Sequence, residues 1–118
     1  MDMRNPKNLS FWSDLTQFIV RVYRSAACLP KDEQYNLVSQ VKRAAVSIRL
    51  NVVEGAACES STEYARFLEI AYRSARETLT CIELAVELGL SKAELVDDLC
   101  AFGDRLAGAI YSYRKSVL

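Results

Sequence analysis

Five polar side chains fall in helical order between positions 40 and 54. Gln40, Arg43, Ser47, Asn51 and Glu54 follow one another at steps of three, four, four and three residues. Such spacing places them on one face of a helix. Flanked by apolar rows, an arginine, an amide and a carboxylate on that face must satisfy one another or bind something polar. Arg66, Arg73, Ser74 and Glu77, further along the chain, are available as partners. Two roles fit this pattern: a hydrogen-bond network that fixes helix register, and a polar binding groove.

Catalytic chemistry finds little support. The chain has no histidine, so the commonest general base and the commonest metal ligand are both missing. Glu83 and Glu87 lie one turn apart and Asp97 and Asp98 are adjacent, but a di-iron bundle needs Glu-x-x-His pairs. These carboxylates read as solvated acidic faces. Neither a P-loop nor a G-x-G-x-x-G turn is present, which excludes those nucleotide cradles. Cys28, Cys58, Cys81 and Cys100 are separated by 30, 23 and 19 residues with no C-x-x-C pair. They read as reduced packing thiols, without histidine to activate one as a nucleophile. The expectation is a protein that is not an enzyme, with no catalytic residue, no metal and no cofactor.

The elements that position the polar stripe follow from periodicity. At 118 residues, 51% hydrophobic and 25% charged, the chain has the balance of one folded domain spanning 1–118. Two prolines and four glycines leave long stretches free of breakers, which suits long helices. Phe11, Leu15, Phe18, Ile19, Val22, Ala26 and Leu29 predict a helix over about 10–29, stopped by Pro30. Leu37, Val41, Ala44, Ile48 and Val52 predict a second over about 35–55, stopped near Gly55. Ser60-Ser61-Thr62-Glu63 offers a capping box for a third over about 61–89, with Gly89 as its C-terminal cap. Ser91-Lys92-Ala93-Glu94 repeats the box before a fourth over about 92–116, with Leu95, Leu99, Phe102, Leu106, Ile110, Tyr113 and Val117 on its apolar face. Short connections between long helices favour an all-α, antiparallel, up-down-up-down four-helix bundle. No apolar run approaches the ~20 residues needed to cross a bilayer, and the start lacks a signal-peptide core. The expected location is the cytoplasm, with no membrane partner.

Two helices carry more apolar surface than one bundle seam uses. The second has Val38, Val46 and Val53 in a separate row, and the first has Trp12, Val20, Tyr23 and Ala27 away from its main stripe. Burial of these faces in a homo-oligomer, with Trp12, Val20, Tyr23, Val38, Val46 and Val53 at the interface, is one reading. A wide core stripe in a fully wrapped helix is the other. Fifteen basic and fifteen acidic side chains cancel to zero net charge, so no global field draws the chain to nucleic acid. Residues 60–90 carry three basic and five acidic groups, a net of −2.

The segment Ser39-Gln40-Val41-Lys42-Arg43-Ala44-Ala45-Val46-Ser47-Ile48-Arg49-Leu50-Asn51-Val52-Val53-Glu54-Gly55 resembles the signature of the 23S rRNA intervening-sequence proteins, also called four-helix bundle proteins. The likeness extends through Phe11-Trp12, Leu29-Pro30-Lys31-Asp32-Glu33, Glu63-Tyr64-Ala65-Arg66-Phe67-Leu68, Ser74-Ala75-Arg76-Glu77 and Glu87-Leu88-Gly89, nearly the whole chain. The resemblance implies a bacterial cytosolic four-helix bundle that assembles into a ring-shaped homopentamer. It also implies kinship with the accessory variability protein of diversity-generating retroelements, a pentameric barrel that works with a reverse transcriptase and RNA. On that footing the chain is a scaffold associated with RNA or a nucleic-acid enzyme. Lys42, Arg49, Arg66, Arg73 and Arg76, with Arg114 and Lys115, are then the candidate phosphate contacts. A protein–protein adaptor that binds no nucleic acid is the alternative. Two positions depart from the family pattern: Arg49 stands where a proline commonly follows Ser-Ile, and Val53 where alanine commonly precedes Glu-Gly. Without that proline every backbone N–H of the second helix is available, so a weaker kink is expected.

Overall fold

A computed structural model describes residues 4–118. Its four long helices are α1 (Trp12–Ala26), α2 (Ser39–Ala56), α3 (Ser61–Glu87) and α4 (Ala93–Val117). Each packs against its neighbours in sequence, and α4 closes back on α1. The result is a four-helix bundle 48 × 25 × 18 Å, with no strand among the described residues. α2 against α3 is the most extensive seam and α1 against α4 the slightest. Phe18, Leu15, Ile48, Leu68, Ile110, Val22 and Val52 fill the axis and are fully buried. Each comes from an apolar stripe with helical spacing.

Helix ends correct the sequence reading in several places. α1 stops at Ala26 and not Leu29; Cys28 and Leu29 continue it only through bonds to Ser25 and Ala26 three residues back. Pro30 disfavours helical backbone at Leu29, so the last turn tightens instead of propagating. A 3-10 turn at Lys31–Glu33 precedes the second helix, whose expected first turn is instead a π turn at Gln34–Val38. α2 proper starts at Ser39 and runs unbroken through Arg49, the position without proline.

α2 ends at Ala56, one residue past Gly55, but Gly55 is not its cap. It is helical and buried, and a Cβ there would sit 2.8 Å from the Phe67 Cβ and 2.9 Å from Tyr64 Cδ1. Glycine is required because α3 passes so close. At Gly89, by contrast, φ is +75°. There Leu90 N–H donates to the Ala85 carbonyl and Gly89 N–H to that of Val86, a Schellman closure that favours glycine.

The cap at Ser60 forms, its hydroxyl accepting from Glu63 N–H at 3.1 Å. The second expected cap does not: Lys92 precedes α4, and no side chain caps that end. The expected stripe of α4 keeps Leu99, Leu106 and Ile110 buried and Phe102, Tyr113 and Val117 against the core, but the buried face adds Val96, Gly103 and Ala107 and leaves Leu95 72% exposed. Gly103 explains the shift. A Cβ there would meet Phe18 Cε1 at 2.5 Å and Leu79 Cδ2 at 2.7 Å, so an apparently featureless glycine occupies a core position.

Candidate functional site

The polar stripe divides along its length. At 100° per residue, its members spread over an arc of about 80°. The edge toward α3 is half-buried and fully engaged. Ser47 and Ser74 share a hydrogen bond across the seam at 2.9 Å, and Asn51 Nδ2 donates to the Ser47 carbonyl at 2.8 Å and hydroxyl at 3.0 Å. Behind them the buried Thr78 hydroxyl donates to the Ser74 carbonyl at 2.7 Å. At the far end Gln40 donates to Glu77. Of the anticipated partners on α3, Ser74 and Glu77 are therefore in contact with the stripe.

The other edge faces water. Arg43 and Glu54 are exposed, and Arg43 makes one long bond, 3.5 Å, to Ser39 one turn back. Arg43 is not satisfied by the carboxylate of the stripe: its hydrogen-bond partner is a hydroxyl on its own helix. The inner half of the stripe works as a structural zipper between α2 and α3. Its outer half is a solvated rim.

The candidate phosphate contacts do not converge. Lys42 and Arg49 lie on the α1 side of α2, where Nζ of Lys42 stands 4.9 Å from the Tyr23 ring and the Arg49 guanidinium 4.4 Å from Trp12. Arg49 also donates to Thr16 Oγ1 at 3.4 Å. Arg66, on α3, covers Phe67 at 5.4 Å. Glu69 binds both Arg73, at 3.0 Å, and Arg114, at 3.2 Å, while Arg114 also donates to the Ala65 carbonyl. Arg76 meets Asp104 at 2.6 Å. The Asp104 hydrogen bond, followed by that of Tyr72, raises the Arg76 pKa. Much of the cationic charge is thus locally balanced or laid over an aromatic face.

One aromatic and basic patch was not legible beforehand. Tyr72 on α3 and Tyr111 on α4 hold their rings 5.4 Å apart. Arg76 lies over Tyr72 at 5.3 Å and Lys115 over Tyr111 at 4.8 Å. The sequence signal was two tyrosines each followed four residues later by a cation, a pairing visible only once both are placed on helices.

The candidate interface residues occupy a continuous strip between α1 and α2. Trp12 and Val38 are half-buried against the chain's own core. Val20, Tyr23 and Val53 are 43%, 40% and 41% exposed, and Leu50 beside them is 58% exposed. Ile19, Val20, Val46, Leu50 and Val53 line a mostly apolar groove there, with Arg49 at its side. No carboxylate contributes to its lining.

The acidic side chains Glu83, Glu87, Asp97 and Asp98 are all exposed along α3 and α4. Cys100 lies half-buried near them; burial pushes its thiol pKa up, and the Glu83 and Asp97 carboxylates push it further. The buried Cys81 thiol is raised by burial and then by Glu77. Both are thereby kept as protonated packing groups. Cys28 is exposed and Cys58 half-buried, and all four cysteines are free. Among the described residues no three histidine, cysteine, aspartate or glutamate side chains gather as a metal site. No helix among them is long and apolar enough to cross a membrane.

Comparison with curated proteins finds no match. The profile of one family, described as 23S rRNA-intervening sequence protein, matches residues 7–112. That span takes in all of α1, α2 and α3 and most of α4, including both edges of the polar stripe. The chain belongs to the 23S rRNA-intervening sequence protein family.

Proposed function

We propose that this protein is a non-enzymatic cytoplasmic scaffold that self-assembles through its α1–α2 face. The observation that carries this is the apolar strip of Val20, Val46, Leu50 and Val53, left open in a chain whose other large apolar residues mostly fill one core. A soluble protein gains by covering a contiguous apolar strip, and a second copy is the partner always present at matching concentration. Lys42 and Arg49 stack on Tyr23 and Trp12 at the same face, which keeps their stems over the rings and widens the surface a neighbour can cover. The ring-shaped homopentamer and the kinship with the accessory variability protein are carried over from the family resemblance. They form part of the proposal. With no histidine in the chain and its exposed carboxylates open to water, the role is binding and not turnover.

Association with RNA is the second reading, and the Tyr72–Tyr111 patch with Arg76 and Lys115 favours it. Two adjacent tyrosine rings, inclined at 50° and flanked by cations, suit the bases and phosphates of a single strand. A protein–protein adaptor role stands against it, because Arg73, Arg76 and Arg114 already hold carboxylates.

Multi-angle light scattering across a gel-filtration peak, with absorbance recorded at the nucleic-acid and protein maxima, tests both readings. A mass of five subunits without excess nucleic-acid absorbance is the expected result for a scaffold of proteins. Co-eluting RNA moves the assignment to the second reading, and a monomer removes the assembly.

A further inference from the structure

We propose that the cleft between α1 and α4 is a binding site for a small anion bearing a short hydrocarbon tail. The cleft is open to solvent, offers about 380 Å³, and has Arg21, Arg24, Ser25 and Ser91 as its polar lining above Leu95 and Leu99. This volume is in the range of small-molecule sites.

Three features set it apart from the other grooves of the bundle. First, two guanidinium groups line it and no carboxylate does. Along the α3–α4 groove, by contrast, Arg76 is held by Asp104. Neither Arg21 nor Arg24 forms an ion pair among the described residues; Arg21 rests over the Phe102 ring at 5.2 Å, which fixes its head at the cleft wall. Second, the hydroxyls of Ser25 and Ser91 are half-buried there with no hydrogen-bond partner among the described residues. Ser91 is the residue whose spacing suggested a helix cap, yet α4 begins after Lys92 and leaves Ser91 facing the cleft. Third, Leu95 is 72% exposed beside these cations, and Val96 and Leu99 form a buried apolar floor below it.

Two arginines and two serines lining one cleft without a carboxylate suit a carboxylate or phosphate head, since charge-assisted bonds to such oxygens are strong and directional. The leucine side of the cleft selects a tail. Ser25, Ser91 and Val96 also border a small enclosed apolar pocket walled by Val22, Leu37 and Ile82. That pocket holds only about 20 Å³, so a tail is accommodated along Leu95 in the open cleft. A bare inorganic ion leaves Leu95 uncovered, and a neutral alcohol leaves the arginines unused. The site therefore fits an acyl carboxylate or an alkyl phosphate monoester.

Nuclear magnetic resonance titration of the isotope-labelled full-length protein, in its native assembly state, tests this. The probes are sodium octanoate, octyl phosphate, inorganic phosphate and octanol. Saturable shifts of the Ser25, Ser91 and Leu95 amides are expected with octanoate or octyl phosphate, and the tighter of the two identifies the head group. Inorganic phosphate and octanol should bind about tenfold or more weakly, as should octanoate or octyl phosphate to R21Q/R24Q. L95A should weaken only the tailed probes. Equal affinity of octanol and octanoate, shifts scattered away from the cleft, or unchanged binding by R21Q/R24Q at an unchanged melting temperature would each overturn the site. None of these outcomes depends on whether the α1–α2 face assembles.

Discussion

α2 forms two seams, and they are built on opposite terms. Toward α3 the residues are small: Ala44, Ser47, Asn51 and Gly55 recur at helical spacing, and at Gly55 the helices come so close that no Cβ fits beside Phe67. At that rim Ser47 pairs with Ser74 across the gap and accepts from Asn51 on its own helix. Toward α1 the residues are branched and bulky, with Val46, Leu50 and Val53 facing Ile19 and Val20 across an open groove. Close packing needs matched small surfaces, whereas bulky side chains at a groove mouth leave apolar area in water. One side of the same helix is finished within the chain. The other leaves an apolar groove open to water, the observation on which the proposed assembly rests.

The contrast is broken most directly at Gly55. Replacing it with valine inserts three carbons where the first already meets Phe67 Cβ at 2.8 Å. A Cβ cannot move away without its backbone, so α3 must shift. G55V should cost about 3 kcal/mol, the upper part of the range for overpacked cores. Urea unfolding measures it, and a loss under about 1 kcal/mol would mean the seam yields more easily than the geometry implies.

Next in size is the hydroxyl pair. S47A and S74A should each destabilise by about 1 kcal/mol, because the surviving hydroxyl loses a partner in a half-buried seam. The double variant should lose less than the sum, and that coupling isolates the contact at 2.9 Å. Strict additivity would show the two serines to be independently solvated.

Across the other seam the expected pattern inverts. V46S/V53S removes apolar surface at positions that are half-buried and exposed, so folding should change by about 1 kcal/mol or less. The light-scattering mass should fall to that of a smaller species. A double variant that keeps both the wild-type mass and its melting temperature removes those valines from any interface.

How much of this was readable beforehand depends on what each residue announces locally. The long apolar stripes of α1, α2 and α3 announce themselves by period, and Gly89 by its place after the last periodic residue. Gly55 and Gly103 carry the same letter with a different cause. Their role is to admit a neighbouring helix, and that neighbour is set by tertiary packing. Counting only apolar letters passes over Gly103 and shifts the predicted face of α4 onto Leu95, which is exposed. The π turn at Gln34–Val38 has no local signature either. In the stripe, spacing locates all five residues on one side of α2 but not the fraction of that side which α3 covers. Tyr72 meets Tyr111, and Arg21 and Arg24 come to share a cleft with Ser91 and Leu95, only through the order of helices around the bundle.

The smallest effect is the sharpest test of where the finished seam ends. Arg43 is exposed, and its one bond spans 3.5 Å to Ser39. Alanine at this site gives up a weak surface contact and gains a little helix propensity, so R43A should lie within about 0.5 kcal/mol of wild type. Had the guanidinium been sealed against a carboxylate, removing it would strand a buried charge and cost about 3 kcal/mol. The two outcomes differ severalfold in a single unfolding curve. A near-zero result confines the structural zipper to Ser47, Asn51, Ser74 and Thr78. It also shows that Arg43 and Glu54, both exposed on the outer edge of the stripe, carry their charges in water without weighing on the fold.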